Sequence, residues 1–291
     1  MTLRALTGFS DVAGEFDGFI LDLWGLVHDG ATAYPCSADT FRQLKAAGKK
    51  TLLLSNAPRR ASVLVDAMTR MGIARDLYGE VLSSGEATRE ALMARKDPGF
   101  AGLGARAYHL GPERDRSIFE DTNIELVPGV AAAAFIVNTG PDGLDDVVED
   151  YTDVLEAGAR AHLPMVCANP DMLVIRDNKP VVCAGALAKR YEALGGQVVY
   201  RGKPDPAVYA LAVIKLGVDR DRIAVVGDAL ETDIKGANAA GLKSIWCTGG
   251  IHADALGTSY GVPADPQRAL ALAQAEGQIP SAIIPGFFWD R

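Results

Sequence analysis

The 291-residue chain has only four cysteines, Cys36, Cys167, Cys183 and Cys247, and no two of them form a C-x-x-C pair. That scatter excludes a disulfide framework and a cysteine-rich zinc site, and predicts buried, reduced thiols. The four histidines, His28, His109, His162 and His252, are as dispersed and offer no H-x-x-x-H metal spacing. Aromatic residues make up 7% of the chain and no block of lysine or arginine occurs. With a formal charge of −8, the sequence lacks the clustered cations that neutralise a phosphate backbone, so a nucleic-acid partner is not expected. Long apolar runs are missing too. The longest, Val130 to Val137, is far shorter than a bilayer span, and Met1 to Gly14 lacks the regions of a signal peptide. No membrane partner is expected, and the predicted location is the cytoplasm.

What is present is ordinary globular composition, 48% hydrophobic and 23% charged, in a chain long enough for two cores. Short apolar runs at Gly18 to Leu23, Lys50 to Ser55, Ile223 to Gly227 and Lys243 to Cys247 read as buried strands. Helical spacing spans Ala38 to Ala47, Ala61 to Met71, Ala207 to Leu216 and Thr232 to Ala240, with glycine stops at Gly48, Gly72 and Gly217. This alternation predicts an α/β fold with a parallel sheet covered on both faces. The middle repeats the alternation, with strands at Ala105 to Leu110, Ala134 to Asn138 and Met165 to Ala168. Ser83 and Glu86 fit a capping box that opens the next helix where the chain leaves the first domain. The aromatic end, with Phe287, Phe288 and Trp289, is expected to pack on the body.

Several polar residues fall at predicted strand ends, where open α/β sheets bind ligands. Asp22 lies at the carboxyl edge of the first strand, and Ser55 with Asn56 ends the second. Lys203 precedes a proline-opened helix. Asp228 and Asp233 follow a further strand, close enough together to share a hard cation through oxygen. Each also has a plainer reading: a turn or helix cap for Asp22, Ser55, Asn56, Asp228 and Asp233, and a solvated surface cation for Lys203.

The order of these segments, strand-Asp, strand-Ser, Lys-Pro and Gly-Asp-x-x-x-x-Asp, resembles the four motifs of the haloacid dehalogenase superfamily. The insertion between the second and third resembles its C2 cap. Val81 to Thr88, Cys167 to Asp171 and Gly185 to Leu187 are similar to subfamily IIA, which holds NagD-like, p-nitrophenyl and pyridoxal phosphatases. The resemblance implies a Rossmann-like core at 1–83 and 201–291, a cap at 84–200, and a homodimer as a family-level expectation. It also implies a Mg²⁺-dependent phosphohydrolase acting on a small phosphorylated metabolite. Asp22 would be the nucleophile, Ser55 a phosphate donor and Lys203 the steadying cation. Asp22, Asp228, Asp233 and the backbone carbonyl of Trp24 would hold Mg²⁺. Asn56, Asn169 and Asp171 are candidates for substrate binding, with an Asn-Pro-Asp turn as the alternative for the last two.

One position departs from the pattern. The superfamily's phosphatases carry a second Asp two residues after the nucleophile, and here Trp24 occupies it. That Asp moves protons, which is worth about 10²- to 10⁴-fold in rate, and indole cannot replace it. His28 and Asp29 are the nearest substitutes, His28 because it would titrate near neutral pH, and the alternative is that both simply face solvent in the turn before Gly30. The alternatives are a non-catalytic phospho-ligand binding protein and a dehalogenase-like hydrolase using Asp22 on carbon.

Overall fold

The computed structural model describes residues 2–176 and 179–290. The strands, in chain order, are β1 (Arg4–Ala5), β2 (Gly18–Leu21), β3 (Lys50–Ser55), β4 (Glu80–Ser83), β5 (Arg106–Leu110), β6 (Glu125–Val127) and β7 (Phe135–Asn138). They continue with β8 (Met165–Cys167), β9 (Leu173–Arg176), β10 (Lys179–Val182), β11 (Val198–Tyr200), β12 (Ile223–Gly227), β13 (Lys243–Cys247) and β14 (Ala282–Ile284). Two compact units result: 1–55, 64–82 and 203–291 form one, and 56–63 with 83–202 the other.

The first unit is built on a seven-stranded sheet in the order β1-β14-β13-β12-β2-β3-β4. Strands β12, β2 and β3 run parallel, with Val226 opposite Leu21 and Leu21 opposite Leu53. Their side chains are buried apart from Lys50, as expected of a sheet covered on both faces. Because β2 leads to β3 on one side and pairs with β12 on the other, the strand order reverses beside β2, the place where open α/β sheets bind ligands.

Local chemistry sets the element ends. The helix Pro206–Leu216 starts where the Asp205 carboxylate accepts from Ala207 N at 2.9 Å, and stops at Gly217 with φ +60°. The expected helix at Thr232 to Ala240 differs in detail: a π-helical turn, Leu230–Ile234, runs into a short α-helix, Lys235–Ala239. The wider turn carries Asp233 back over Gly227. The C-terminal aromatics pack on the body as expected, with Phe287 fully buried against Phe9 and Phe41. Cys36 corrects one expectation. It is exposed, because it stands at the left-handed position that opens the helix Ser37–Ala46, while the other three cysteines are buried.

The second unit holds a five-stranded parallel sheet, β11-β8-β7-β5-β6, and the antiparallel β9-β10 pair. One of its cores gathers Phe100, Ile118, Phe135, Val137 and Val166; another gathers Leu155, Met165, Leu187 and Tyr191. Residues 56–63 join it through Glu86, whose carboxylate accepts from Arg60 Nε at 2.9 Å and Ala61 N at 3.1 Å. The expected capping box is therefore half made. Ser83 Oγ accepts from Glu86 N at 3.0 Å, but the Glu86 side chain turns to residues 60 and 61. Among the described residues, no helix is long and apolar enough to cross a membrane.

Candidate active site

Strand β2 ends at Leu21, two residues earlier than its apolar run suggests, because Leu23 O accepts from both Val27 N and His28 N and turns the chain out of the sheet. Asp22 N still donates to Val226 O at 2.8 Å, so the carboxylate projects from the sheet rim beside β12. Ser55 is the last residue of β3, and Asp228 follows the last residue of β12.

Lys203 Nζ lies 2.6 Å from Asp22 Oδ1 and 2.8 Å from Asp233 Oδ1, and all three groups are buried. Carboxylate oxygens of Asp22, Asp228 and Asp233 come within 4.8 Å of one another. Three buried carboxylates beside one ammonium leave an excess of negative charge that is costly away from water. Burial first, and the Asp22 charge second, push the carboxyl of Asp228 well above its usual range and that of Asp233 up to about 6, against the lowering pull of Lys203. Such an all-oxygen cluster suits a hard divalent cation, which would offset the excess charge.

Main-chain groups and glycines hold this geometry. Asp228 Oδ2 accepts from Ile251 N at 2.8 Å, and Asp233 Oδ2 from Ala229 N at 3.2 Å. A Cβ at Gly25 would lie 1.9 Å from Asp228 Oδ2, and one at Gly250 would lie 2.2 Å from it. Gly25 also has φ +81°, a conformation that disfavours any side chain. Gly250→Ala is thus expected to swing the Asp228 carboxylate off Ile251 N. A charge-assisted bond contributes about 1.5–3 kcal/mol, so divalent-ion affinity should fall about tenfold or more. Calorimetric titration of Mg²⁺ or Mn²⁺ into the folded variant checks this; unchanged affinity would show that the loop does not hold Asp228.

The sequence-predicted residues do not all converge. Asp22, Ser55, Lys203, Asp228 and Asp233 share one unit, and the last two acids join Asp22 and Lys203 in one cluster. Trp24 lies beside His28, the rings 5.9 Å apart and edge-on, and its indole covers Gly30, where a Cβ would come within 2.3 Å of it.

The structure corrects the two proton-transfer candidates. His28 is 8% exposed, its Nδ1 accepts from Gly30 N at 3.0 Å, and burial lowers its pKa to about 4, so it is neutral at pH 7 rather than titrating there. The Asp29 carboxylate closes its own turn, accepting from Ala31 N at 2.9 Å and Thr32 N at 2.7 Å. In the second unit, Asn169 Oδ1 accepts from Asp171 N at 3.1 Å, and Asp171 Oδ1 accepts from Asn56 Nδ2 at 2.7 Å. These bonds shape the Asn-Pro-Asp turn that is the alternative reading of Asn169 and Asp171, and they tie Asn56 to it.

Two contributors escaped sequence reasoning. Ile251 acts through its main chain, which no residue-type motif reveals. His252 Nε2 accepts from Leu230 N at 3.3 Å, next to the acidic motif yet far along the chain. Only the nearby Gly249-Gly250 pair hinted at a close approach.

A family model of haloacid dehalogenase-like hydrolases matches residues 19–125, and a second, HAD-hydrolase-like, matches residues 200–270. A crystal structure of a haloacid dehalogenase-like family hydrolase from Brucella suis 1330 is 30% identical, with TM-score 0.82, over 97% of this chain and 99% of that one. Chronophin from Bos taurus is 28% identical over 83% of this chain and 84% of its own length. The glycerol phosphate phosphatase of Mycobacterium tuberculosis, solved in complex with calcium, is 24% identical with TM-score 0.64, over 82% of this chain and 68% of that one. With its strand-end aspartate, buried lysine and acidic cluster on a Rossmann-like sheet, the chain belongs to the haloacid dehalogenase-like hydrolase family, among the relatives that include its phosphatases.

Proposed function

We propose that this hydrolase is a Mg²⁺-dependent phosphohydrolase that cleaves a small phosphorylated metabolite through an aspartyl-phosphate on Asp22. The observation that carries the reading is Lys203 Nζ bound between Asp22 and Asp233, with a carboxylate oxygen of Asp228 within 4.8 Å of theirs. Similarity to a glycerol phosphate phosphatase supports a phosphorylated substrate, and the calcium held by that relative supports a divalent ion.

Asp22 attacks phosphorus, Lys203 holds the attacking carboxylate and neutralises the transferring phosphoryl group, and Ser55 donates to a phosphoryl oxygen. Asp22, Asp228, Asp233 and the Trp24 carbonyl would hold Mg²⁺, which supplies charge neutralisation when bound. Residues 84–200 are assigned as the cap, and with it the choice of leaving group. The cytoplasm and a homodimer complete the proposal.

With p-nitrophenyl phosphate, Mg²⁺-supported release is expected, and chelation should lower it by at least about 10²-fold. Turnover indifferent to chelation would sink the metal-dependent reading. Trp24 favours a second reading, a phospho-ligand binder without turnover; binding of inorganic phosphate with no Asp22-dependent release would establish it.

A further inference from the structure

Trp24 takes a proton-transfer position out of service, and the neighbouring groups of its loop are already committed. The His28 Nδ1 lone pair accepts from Gly30 N at 3.0 Å, which leaves the ring proton on Nε2 and no free lone pair to take a proton from water. Both Asp29 oxygens accept from residues 31 and 32, the second from Thr32 Oγ1 at 3.2 Å. Asp228 and Asp233 are tied to Ile251 N, Ala229 N and Lys203. The indole cannot swing aside freely, because it is packed on Gly30 and against the His28 ring.

The two half-reactions feel this unequally. In the first, an Asp22 oxygen bonds to phosphorus while the bond to the leaving oxygen breaks, and the electron pair departs with that oxygen. If the leaving oxygen is stable as an anion, no proton is needed. In the second, a water oxygen bonds to phosphorus, the bond to Asp22 breaks and returns the carboxylate, and the water must shed a proton to solvent. Without a positioned base this step loses about 10²- to 10⁴-fold, whatever the substrate was.

We propose that Trp24 makes water attack on phosphorylated Asp22 the slow step, so that the covalent phosphoenzyme accumulates during turnover. By the same logic, the enzyme selects phosphates with acidic leaving groups, of the acyl phosphate or phosphoanhydride class. This rests on the phosphohydrolase reading and narrows it.

Rapid mixing of the native enzyme with p-nitrophenyl phosphate and Mg²⁺ tests the first half. The expected trace is a burst of p-nitrophenolate approaching the enzyme concentration, followed by a slower steady rate. Intact mass should gain one phosphoryl group, absent in Asp22→Asn. In Trp24→Asp the burst should vanish and the steady rate rise at least about tenfold; where that variant fails to fold, the native burst and mass decide. Linear, Asp22-dependent release without phosphoryl mass overturns the slow water step while sparing the phosphohydrolase. No Asp22-dependent release overturns both. For the second half, native kcat/KM for acetyl phosphate should exceed that for glycerol phosphate by at least about 10²-fold, and equal values overturn the substrate class.

Discussion

Replacing Asp22 by asparagine is expected to lower p-nitrophenyl phosphate turnover by at least about 10⁴-fold and, at the same time, to stabilise the metal-free protein. The loss follows from removing the nucleophile. The gain follows from the charge balance, because Asp22 is one of three buried carboxylates around one ammonium. Its charge is also the second largest cause raising the carboxyl groups of Asp228 and Asp233. Relieving buried charge in other proteins contributes about 1–4 kcal/mol, and Lys203 keeps Asp233 at 2.8 Å. Parallel melts in chelator and assays in Mg²⁺ separate the two effects. A variant that is both inactive and less stable would mean that Asp22 serves the fold, and its activity loss would then say nothing about a nucleophile.

Lys203→Met should do the opposite to stability. It leaves Asp22, Asp228 and Asp233 buried with no cation among the side chains of the cluster, and breaking a buried pair this way costs about 3–5 kcal/mol. The pH dependence has a definite sign. Burial holds the folded-state pKa of Asp233 above its unfolded value of 3.8, at about 6. The folded state therefore binds this proton more tightly, and the stabilisation it gives is complete below about pH 4 and lost as pH rises through about 6. Without Lys203 the carboxyl groups rise further, so the deficit against the native protein should be larger near pH 8 than near pH 5. Urea unfolding at both values in chelator reads it directly. Equal deficits would mean that Lys203 contributes packing rather than charge. Turnover should fall in parallel, since in the proposed mechanism the same ammonium steadies the nucleophile and the transferring phosphoryl group.

Much of the site was legible because residue type and strand end coincide in a parallel α/β fold. Buried strands announce themselves as apolar runs, and β3, β12 and β13 match theirs residue for residue. A polar residue at or just after the end of such a run stands at the sheet rim, and Asp22, Ser55 and Asp228 are such residues. Short or weakly apolar elements were not legible: β1 has two residues and β14 three, too few to show a period. The π-helical turn at Leu230–Ile234 was also hidden, since its hydrogen bonds are made by backbone groups that carry no sequence label.

By itself, then, the order of residues determined the fold class and the family, because each depends on patterns that are local along the chain. Only the tertiary structure decided which polar neighbours remained available for chemistry. His28 and Asp29 have suitable side chains, yet Gly30 N and the turn at 31–32 engage them. Asn169 and Asp171 are likewise engaged by each other and by Asn56. Hydrogen bonding saturates a donor or acceptor according to what lies within about 3 Å, and that distance is a property of the folded chain.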